Sequence, residues 1–155
     1  MKKLYFLFFL TICFFCNAQI VNIPDANFKA ALLSASSNNT IASTEIPFYD
    51  NDGFFIVSNY HTIDLNGDGE IQVSEAQAIK YLHVTSSPGN NNITDLTGIE
   101  SFTSLKHLSS TYNEISAINL TQNIALKSLE LYGCGLYNNL NLSQNTNLIT
   151  FNMLF

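Results

Sequence analysis

The chain has 155 residues, 46% of them hydrophobic and only 12% charged, with six Lys and no Arg set against twelve Asp and Glu for a net charge of −6. So few cations cannot neutralise a run of phosphates, which excludes nucleic acid and anionic membrane surfaces as partners. The apolar content excludes a disordered chain and is enough for one domain with a continuous core.

The N-terminus reads as a secretory signal peptide over residues 1–18. Lys2 and Lys3 form the charged start, Leu4 to Phe15 the apolar stretch, and Cys16-Asn17-Ala18 the cleavage site, leaving Gln19 first. The stretch is too short to span a bilayer, so no membrane insertion is expected. Ile12 precedes Cys13 and Phe15 precedes Cys16, neither of them a small residue, which argues against a lipoprotein anchor. The address is secreted or cell surface. The mature chain keeps Lys29, Lys80, Lys106 and Lys127 as cations and Cys134 as the one cysteine, so it forms no internal disulfide.

Pro24 at a helix N1 position, followed by Asp25, predicts an amphipathic helix burying Phe28, Ala31 and Leu32. Residues 34–44 read as a polar linker and 45–62 as an insertion, with Gly53 to Tyr60 extended. Within it, Asp50-Asn51-Asp52-Gly53 reads as a surface turn, a second and weaker cation site being the alternative.

Asp64-Leu65-Asn66-Gly67-Asp68-Gly69-Glu70-Ile71-Gln72-Val73-Ser74-Glu75 is a complete calcium-loop pattern. A hard cation needs several oxygen ligands on a tight spiral. Asp64, Asn66 and Asp68 supply side chains at positions 1, 3 and 5, Glu70 its carbonyl at 7, Gln72 or a water position 9, and Glu75 a bidentate carboxylate at 12. Gly69 falls where the spiral turns, and Ile71 points to a core. Ser74-Glu75-Ala76-Gln77 reads as a capping box, with Ser74 capping and Gln77 reaching back, that starts a short helix ending near Lys80. No long helix enters the loop, so this is half an EF-hand and reads as a structural clamp rather than a switch.

Ile79 to Val84 reads as a first strand growing out of that helix, and Ser86 to Asn92 as an insertion loop. Ile93, Leu96, Ile99, Phe102 and Leu105 then step by three. Leu105 to Ile115 matches the leucine-rich repeat frame except that Ser110 replaces an apolar residue. Ile118-Asn119-Leu120-Thr121-Gln122-Asn123 returns 22 residues later as Leu140-Asn141-Leu142-Ser143-Gln144-Asn145, and Leu126, Leu129 and Leu131 return as Leu148, Phe151 and Met153. Asn113 is expected to turn inward and satisfy backbone groups at a bend, with buried Cys134 in the equivalent place. The fold expected is an α/β leucine-rich repeat solenoid with a short parallel sheet. A helical cap with the calcium loop covers 19–82, and the repeats cover 83–155. They break off at Phe155 with no polar cap, which predicts a truncated chain or end-to-end self-association.

Ile23-Pro24-Asp25-Ala26-Asn27-Phe28, the calcium loop through Ala78, Ile93-Thr94-Asp95-Leu96-Thr97-Gly98-Ile99-Glu100 and the Leu-Ser/Thr-Gln-Asn repeats carry a resemblance. It is to calcium-loop-capped leucine-rich repeat proteins secreted by Bacteroidetes, particularly flavobacteria, whose repeats are similar to those of internalins. The resemblance covers most of the mature chain and implies secretion and binding without naming a ligand. Longer members often end in a type IX secretion sorting domain. This chain departs from them in the 45–62 insertion and in lacking that domain.

His61, His83 and His107 fall in no catalytic or metal-binding constellation, and no nucleophile, base and orienting group come together in sequence. His83 and His107 share a sheet face without an evident third ligand, so they read as solvated imidazoles rather than a transition-metal pair. Nothing fixes the separation of Asp50, Asp52, Glu100 and Glu130 as a glycosidase pair would require. The outward strand positions are Tyr81, His83 and Thr85; His107, Ser109, Thr111 and Tyr112; Ser128, Glu130 and Tyr132; and Thr150, Asn152 and Leu154. Of these, Tyr81, His83, His107, Ser109, Tyr112, Glu130, Tyr132 and Asn152 are the candidate contacts for a protein or glycan ligand. The expected function is a secreted, non-enzymatic recognition or adhesion module stabilised by Ca2+. The alternative is the N-terminal portion of a larger secreted enzyme or adhesin whose repeats position another domain.

Overall fold

A computed structural model describes residues 19–49, 55–86, 92–116, 118–134 and 140–154. The expected signal peptide 1–18, the expected turn at Asp50–Gly53 and most of the expected 86–92 insertion loop fall on residues outside these. The protein is mixed α/β, with a small, open, mostly parallel sheet and few helices. Helix α1 (Ala26–Leu33) precedes the edge strand β1 (Ala42–Ser43) and a hairpin of β2 (Phe48–Tyr49) and β3 (Phe55–Ile56). Helix α2 (Val73–Ala78) leads into β4 (Tyr81–Thr85), followed by β5 (His107–Thr111), β6 (Ser128–Tyr132) and β7 (Thr150–Leu154). The sheet order is β1-β4-β5-β6-β7, with β1 antiparallel and the rest parallel.

The parallel strands lie in direct register. Leu82, Leu108, Leu129 and Phe151 stand side by side, and so do Val84, Ser110, Leu131 and Met153. Strand alternation puts this set on one face, where all but Phe151 and Met153 are fully enclosed. The connecting segments bring Ile93, Leu96, Ile99, Phe102, Leu105, Ile115, Ile118, Leu120 and Leu126 against it, as the three-residue stepping predicts. The side chains of α1, the loop residue Ile71 and the C-cap Ile79 join the same cluster, so cap and sheet share one core.

Three buried asparagines hold successive connections together. Asn113 donates to Val84 O (3.1 Å) and Ser110 Oγ (2.9 Å) and accepts the Ile93 N–H (3.3 Å). Asn123 donates to Ile99 O (2.8 Å) and Phe102 O (3.0 Å), and Asn145 to Leu120 O and Asn123 O, both at 3.0 Å. The four carbonyls bonded by Asn123 and Asn145 also accept one backbone N–H each from their own turns, and the amides fill the second lone pair that buried turns leave unused. Ser110 is tolerated at an apolar position because its hydroxyl accepts from Asn113. Cys134 lies buried beside it, Sγ 3.5 Å from Ser110 O, and burial raises its thiol pKa.

Several boundaries differ from the sequence expectation. Asp25, not the residue before Pro24, is the N-cap of α1; its Oδ1 accepts the Asn27 and Phe28 N–H groups, both at 2.9 Å, leaving Pro24 outside the helix. Phe28 and Leu32 are buried as expected, while Ala31 is half-buried. The expected 34–44 linker contains buried Ala35 and the strand β1, whose Ala42 and Ser43 are fully enclosed against β4. Polar composition misled there because the Ser43 hydroxyl is satisfied internally, donating to Ser58 O (2.6 Å) and accepting the Glu45 N–H (3.0 Å). Helix α2 is capped two residues earlier than Ser74: Gln72 is the N-cap, with Glu75 Oε2 accepting its N–H at 2.9 Å. It ends at Ala78 rather than near Lys80 because Ile79 is already extended. The expected 82/83 boundary falls inside β4.

Gly98 marks where the N-terminal segment presses on the connection before β5. Its φ is +105°, and a Cβ there would lie 2.8 Å from Ile23 Cγ1 and 2.9 Å from Asn22 O. Replacing Gly98 by Ala adds backbone strain to this collision. Asn123→Ala removes two buried hydrogen bonds, leaving the Ile99 and Phe102 carbonyls with only their backbone donors Phe102 N and Leu105 N, and is expected to lower unfolding free energy in urea by about 2 kcal/mol, against less than about 0.5 kcal/mol for the exposed Asn119→Ala.

Candidate functional sites: the acidic loop and the outer sheet face

The 64–75 loop is shaped by its own carboxylates and amides. Asp64 Oδ1 accepts the Gly67 N–H (2.8 Å) and Oδ2 the Gly69 N–H (3.0 Å). Asn66 Oδ1 accepts from Asp68 N (3.0 Å), and Asp68 Oδ1 from Glu70 N (2.9 Å). Each side chain thus folds over the backbone two to five residues on, the local bonding that makes Asp and Asn turn formers. Gly69 takes φ +79°, as the sixth position requires. The Glu70 N–H lowers the Asp68 pKa, and the amides of Asn66 and Gln72 act in the same direction.

Of the six residues expected to hold a metal, Asp64, Asn66 and Asp68 follow one another on this spiral. Glu70 turns its carboxylate outward to Lys29 of α1, Oε2 to Nζ 2.7 Å, so only its carbonyl is offered. Gln72 meets the loop through its amide nitrogen, 2.8 Å from Asp68 Oδ2. Glu75 closes the far end, Oε1 accepting the Leu65 N–H (2.7 Å) and Oε2 that of Gln72. Among the described residues no three His, Cys, Asp or Glu side chains converge as a metal-ligand group. The donors nevertheless fit a hard cation in type and order. A carboxylate oxygen that accepts one N–H keeps a second lone pair.

The second candidate is the outer sheet face. Register places Tyr81 beside His107, Ser128 and Thr150, then His83 beside Ser109, Glu130 and Asn152. The face is not open throughout, as the sequence reading had it. The insertion folds over its N-terminal corner: the Phe55 ring lies 5.0 Å from His107 and 6.4 Å from Tyr81, and Tyr60 meets Tyr81 edge-on at 6.2 Å. Tyr81 and His107 stack at 5.1 Å, nearly parallel. Tyr81, His107 and Ser109 are consequently buried. Tyr112 belongs to the bend after β5, with φ +56° and 68% exposure, rather than to the strand. Glu130, Tyr132, Ser128 and Thr150 are half-buried and Asn152 exposed, so the accessible part of the face is its β6–β7 side.

Burial also sets the charge of this face. It pushes the His107 pKa down to about 4, with His83 adding to the effect, and lowers that of His83 against the opposing pull of Glu130. Both imidazoles are neutral at pH 7. The 3.8 Å approach of His107 Nε2 to Glu130 Oε2 is therefore not an ion pair. Burial likewise raises the Tyr81 pKa, reinforced by Tyr60 and Glu130.

The sequence gives no direct sign of two further positions that organise these sites. Asp25 uses its second oxygen to accept from Thr94 N (2.9 Å), Thr94 Oγ1 (3.0 Å) and Asp95 N (3.1 Å), joining α1 to the 92–96 segment. Burial acts to raise its pKa, but these donors and Phe28 N–H hold it low. Phe55 is the other, and only the aromatic richness of the insertion hints at its covering role. No family model matches the chain, and no curated protein matches it.

Histidines whose folded pKa lies below the unfolded value bind fewer protons when folded, so their contribution to stability is present above about pH 6.5 and lost toward pH 4. Thermal melts are expected to fall between pH 7 and pH 4.5. His107→Phe, which keeps the ring stack, should make that fall shallower. A wild-type melt flat across this interval would contradict the burial of neutral His107.

Proposed function

We propose that the protein is a secreted leucine-rich repeat module that recognises a protein or glycan ligand, with Ca2+ holding its N-terminal cap. The observation that carries the repeat reading is the return of one side-chain role in successive connections. Asn123 and Asn145 stand 22 residues apart and each donates to two carbonyls of the connection before it. Parallel strands in direct register, one per repeat, support a solenoid in which each coil buries its leucines against the next.

Calcium is supported by donor chemistry. Asp64, Asn66 and Asp68 present oxygens on a spiral already folded by its own N–H bonds, the Glu70 carbonyl follows, and Glu75 sits at the start of α2. When bound, the ion would supply charge neutralisation among three carboxylates. The chain's own part is to anchor the loop. Ile71 is fully buried, Lys29 draws the Glu70 side chain away, and the Val21 N–H donates to Ile71 O at 2.8 Å. No exposed apolar groove would open, so the ion acts as a clamp.

Recognition falls to the accessible side of the sheet face, where Glu130, Tyr132, Ser128, Thr150 and Asn152 combine ring area, hydroxyls and one carboxylate. Tyr81, His107 and Ser109 support that surface from beneath the insertion. The absence of a nucleophile, base and orienting group in sequence supports a binding rather than a catalytic role.

Thermal melting in saturating calcium and in chelator tests the clamp. At 100 times Kd the linkage is about 2.7 kcal/mol, several degrees for a domain this size. Asp68→Asn, which keeps an oxygen for the Glu70 N–H while removing the charge, should abolish the difference, and identical wild-type melts would remove calcium from the account. For recognition, a glycan and surface-protein array should yield a ligand whose capture drops about tenfold or more in Tyr132→Ala. A ligand indifferent to Tyr132, Glu130 and Asn152 changes would place recognition elsewhere.

A further inference from the structure

Three of the four lysines beyond the signal segment fall in one row. Lys106 N donates to Lys80 O, Lys127 N to Lys106 O and Ile149 N to Lys127 O, each at 2.8 Å, so Lys80, Lys106 and Lys127 sit side by side where β4, β5 and β6 begin. Adjacent strands are about 4.8 Å apart, so these are like charges at short range in a chain that is otherwise acidic. Lys29 is paired with Glu70, whereas none of the three has an ion pair among the described residues.

Lys106 and Lys127 flank a cavity of about 230 Å³ beneath the insertion. Its walls are Ile46, Pro47, Phe55 and Ile149, and His107, Ser128 and Thr150 complete it. Among the described residues, no carboxylate lines it. Ile46, Phe55 and Ile149 are among the large apolar side chains the protein leaves exposed, Ile149 at 82%. Exposed apolar residues gathered round one hollow call for an explanation that scattered ones do not. The His107 ring is 96% buried and its Nδ1 has no hydrogen-bond partner among the described residues, an uncommon condition for a buried nitrogen.

We propose that this cavity binds a small carboxylic acid with an apolar body about one ring in size, its carboxylate between Lys106 and Lys127 and its ring against Phe55, Pro47 and Ile149. The ammonium groups supply the charge the ligand lacks, and a carboxylate between them relieves their mutual repulsion. The apolar walls disfavour a wholly polar anion, which would leave them covered by nothing and lose its own hydration. The imidazole nitrogen and the Ser128 hydroxyl offer hydrogen-bonding positions for a further polar group. None of this involves residues 64–75, and a macromolecule on the β6–β7 side of the face is not required, so the inference stands or falls separately from the recognition reading.

Phenylacetate is a suitable probe, titrated into 15N-labelled protein spanning residues 19–155 at pH 7. Saturable amide shifts at Lys106, His107, Lys127 and Ser128 are expected, with half-saturation at or below about 10 mM. The Lys106→Gln, Lys127→Gln double variant should weaken binding about tenfold, and Ile149→Ser should weaken it as well, both at exposed or half-buried positions that tolerate change. Lys29→Gln, which removes the same charge elsewhere, should leave affinity within about twofold. The proposal is overturned if phenylacetate gives no saturable shift at these residues, or if phenylacetamide binds equally well, which would leave an apolar hollow only. Equal binding of inorganic phosphate would show a simple anion site, and an equal loss in Lys29→Gln a nonspecific charge effect; either also overturns it.

Discussion

The fold depends on donating side-chain amides at the interior bends of its connections. The connections between parallel strands bring backbone carbonyls inside at their bends, where the local turn supplies one N–H donor and leaves a second lone pair in apolar surroundings. Asn113, Asn123 and Asn145 meet that need, each reaching back to an earlier part of the chain. For Asn123 and Asn145 the donor lies in one connection and the acceptors in the one before, so these bonds also fix the spacing between layers. The leucines then fill a space whose dimensions are already set. Removing a leucine leaves a void, whereas removing an amide breaks two buried hydrogen bonds that join one connection to the next.

The same core extends without a break into the N-terminal part. Ile71 and Ile79 flank α2 and both lie in the cluster that holds Leu82 and Leu108. Strand β1 pairs with β4, and Asp25 joins α1 to the connection before β5. The 64–75 loop is therefore tied to the sheet by packing, by backbone pairing and by a carboxylate hub at once. An ion that orders the loop would act on the start of the sheet with few flexible links between them.

Periodicity made much of this legible in the sequence. The inward set Leu82, Leu108, Leu129 and Leu131, the inward Asn113 and the buried Cys134 all follow from the repeat frame, because one face of a stacked sheet must be apolar and each bend must be satisfied. The frame also fixed which residues face outward, but not which of them meet water. Tyr81 and His107 are buried because a non-repeating insertion brings Phe55 and Tyr60 over them, and nothing in a repeat pattern reports where an insertion folds back. The buried β1 was missed for a related reason: Ser43 has a polar side chain whose partner, Ser58 O, is fifteen residues away. The cap of α2 moved to Gln72 because Glu75 bonds that residue's N–H, a choice local propensity leaves open between neighbouring polar residues.

The central claim is that the acidic loop and the parallel sheet form one cooperative unit that a bound calcium ion would stabilise as a whole. Amide hydrogen exchange read by mass spectrometry, in calcium and in chelator, tests it most directly, because it resolves where protection is gained. The account predicts slower exchange in calcium for peptides covering 64–80 and also for those covering β4 and β5, at residues 81–85 and 107–111. Protection confined to 64–75, or none anywhere, would contradict it.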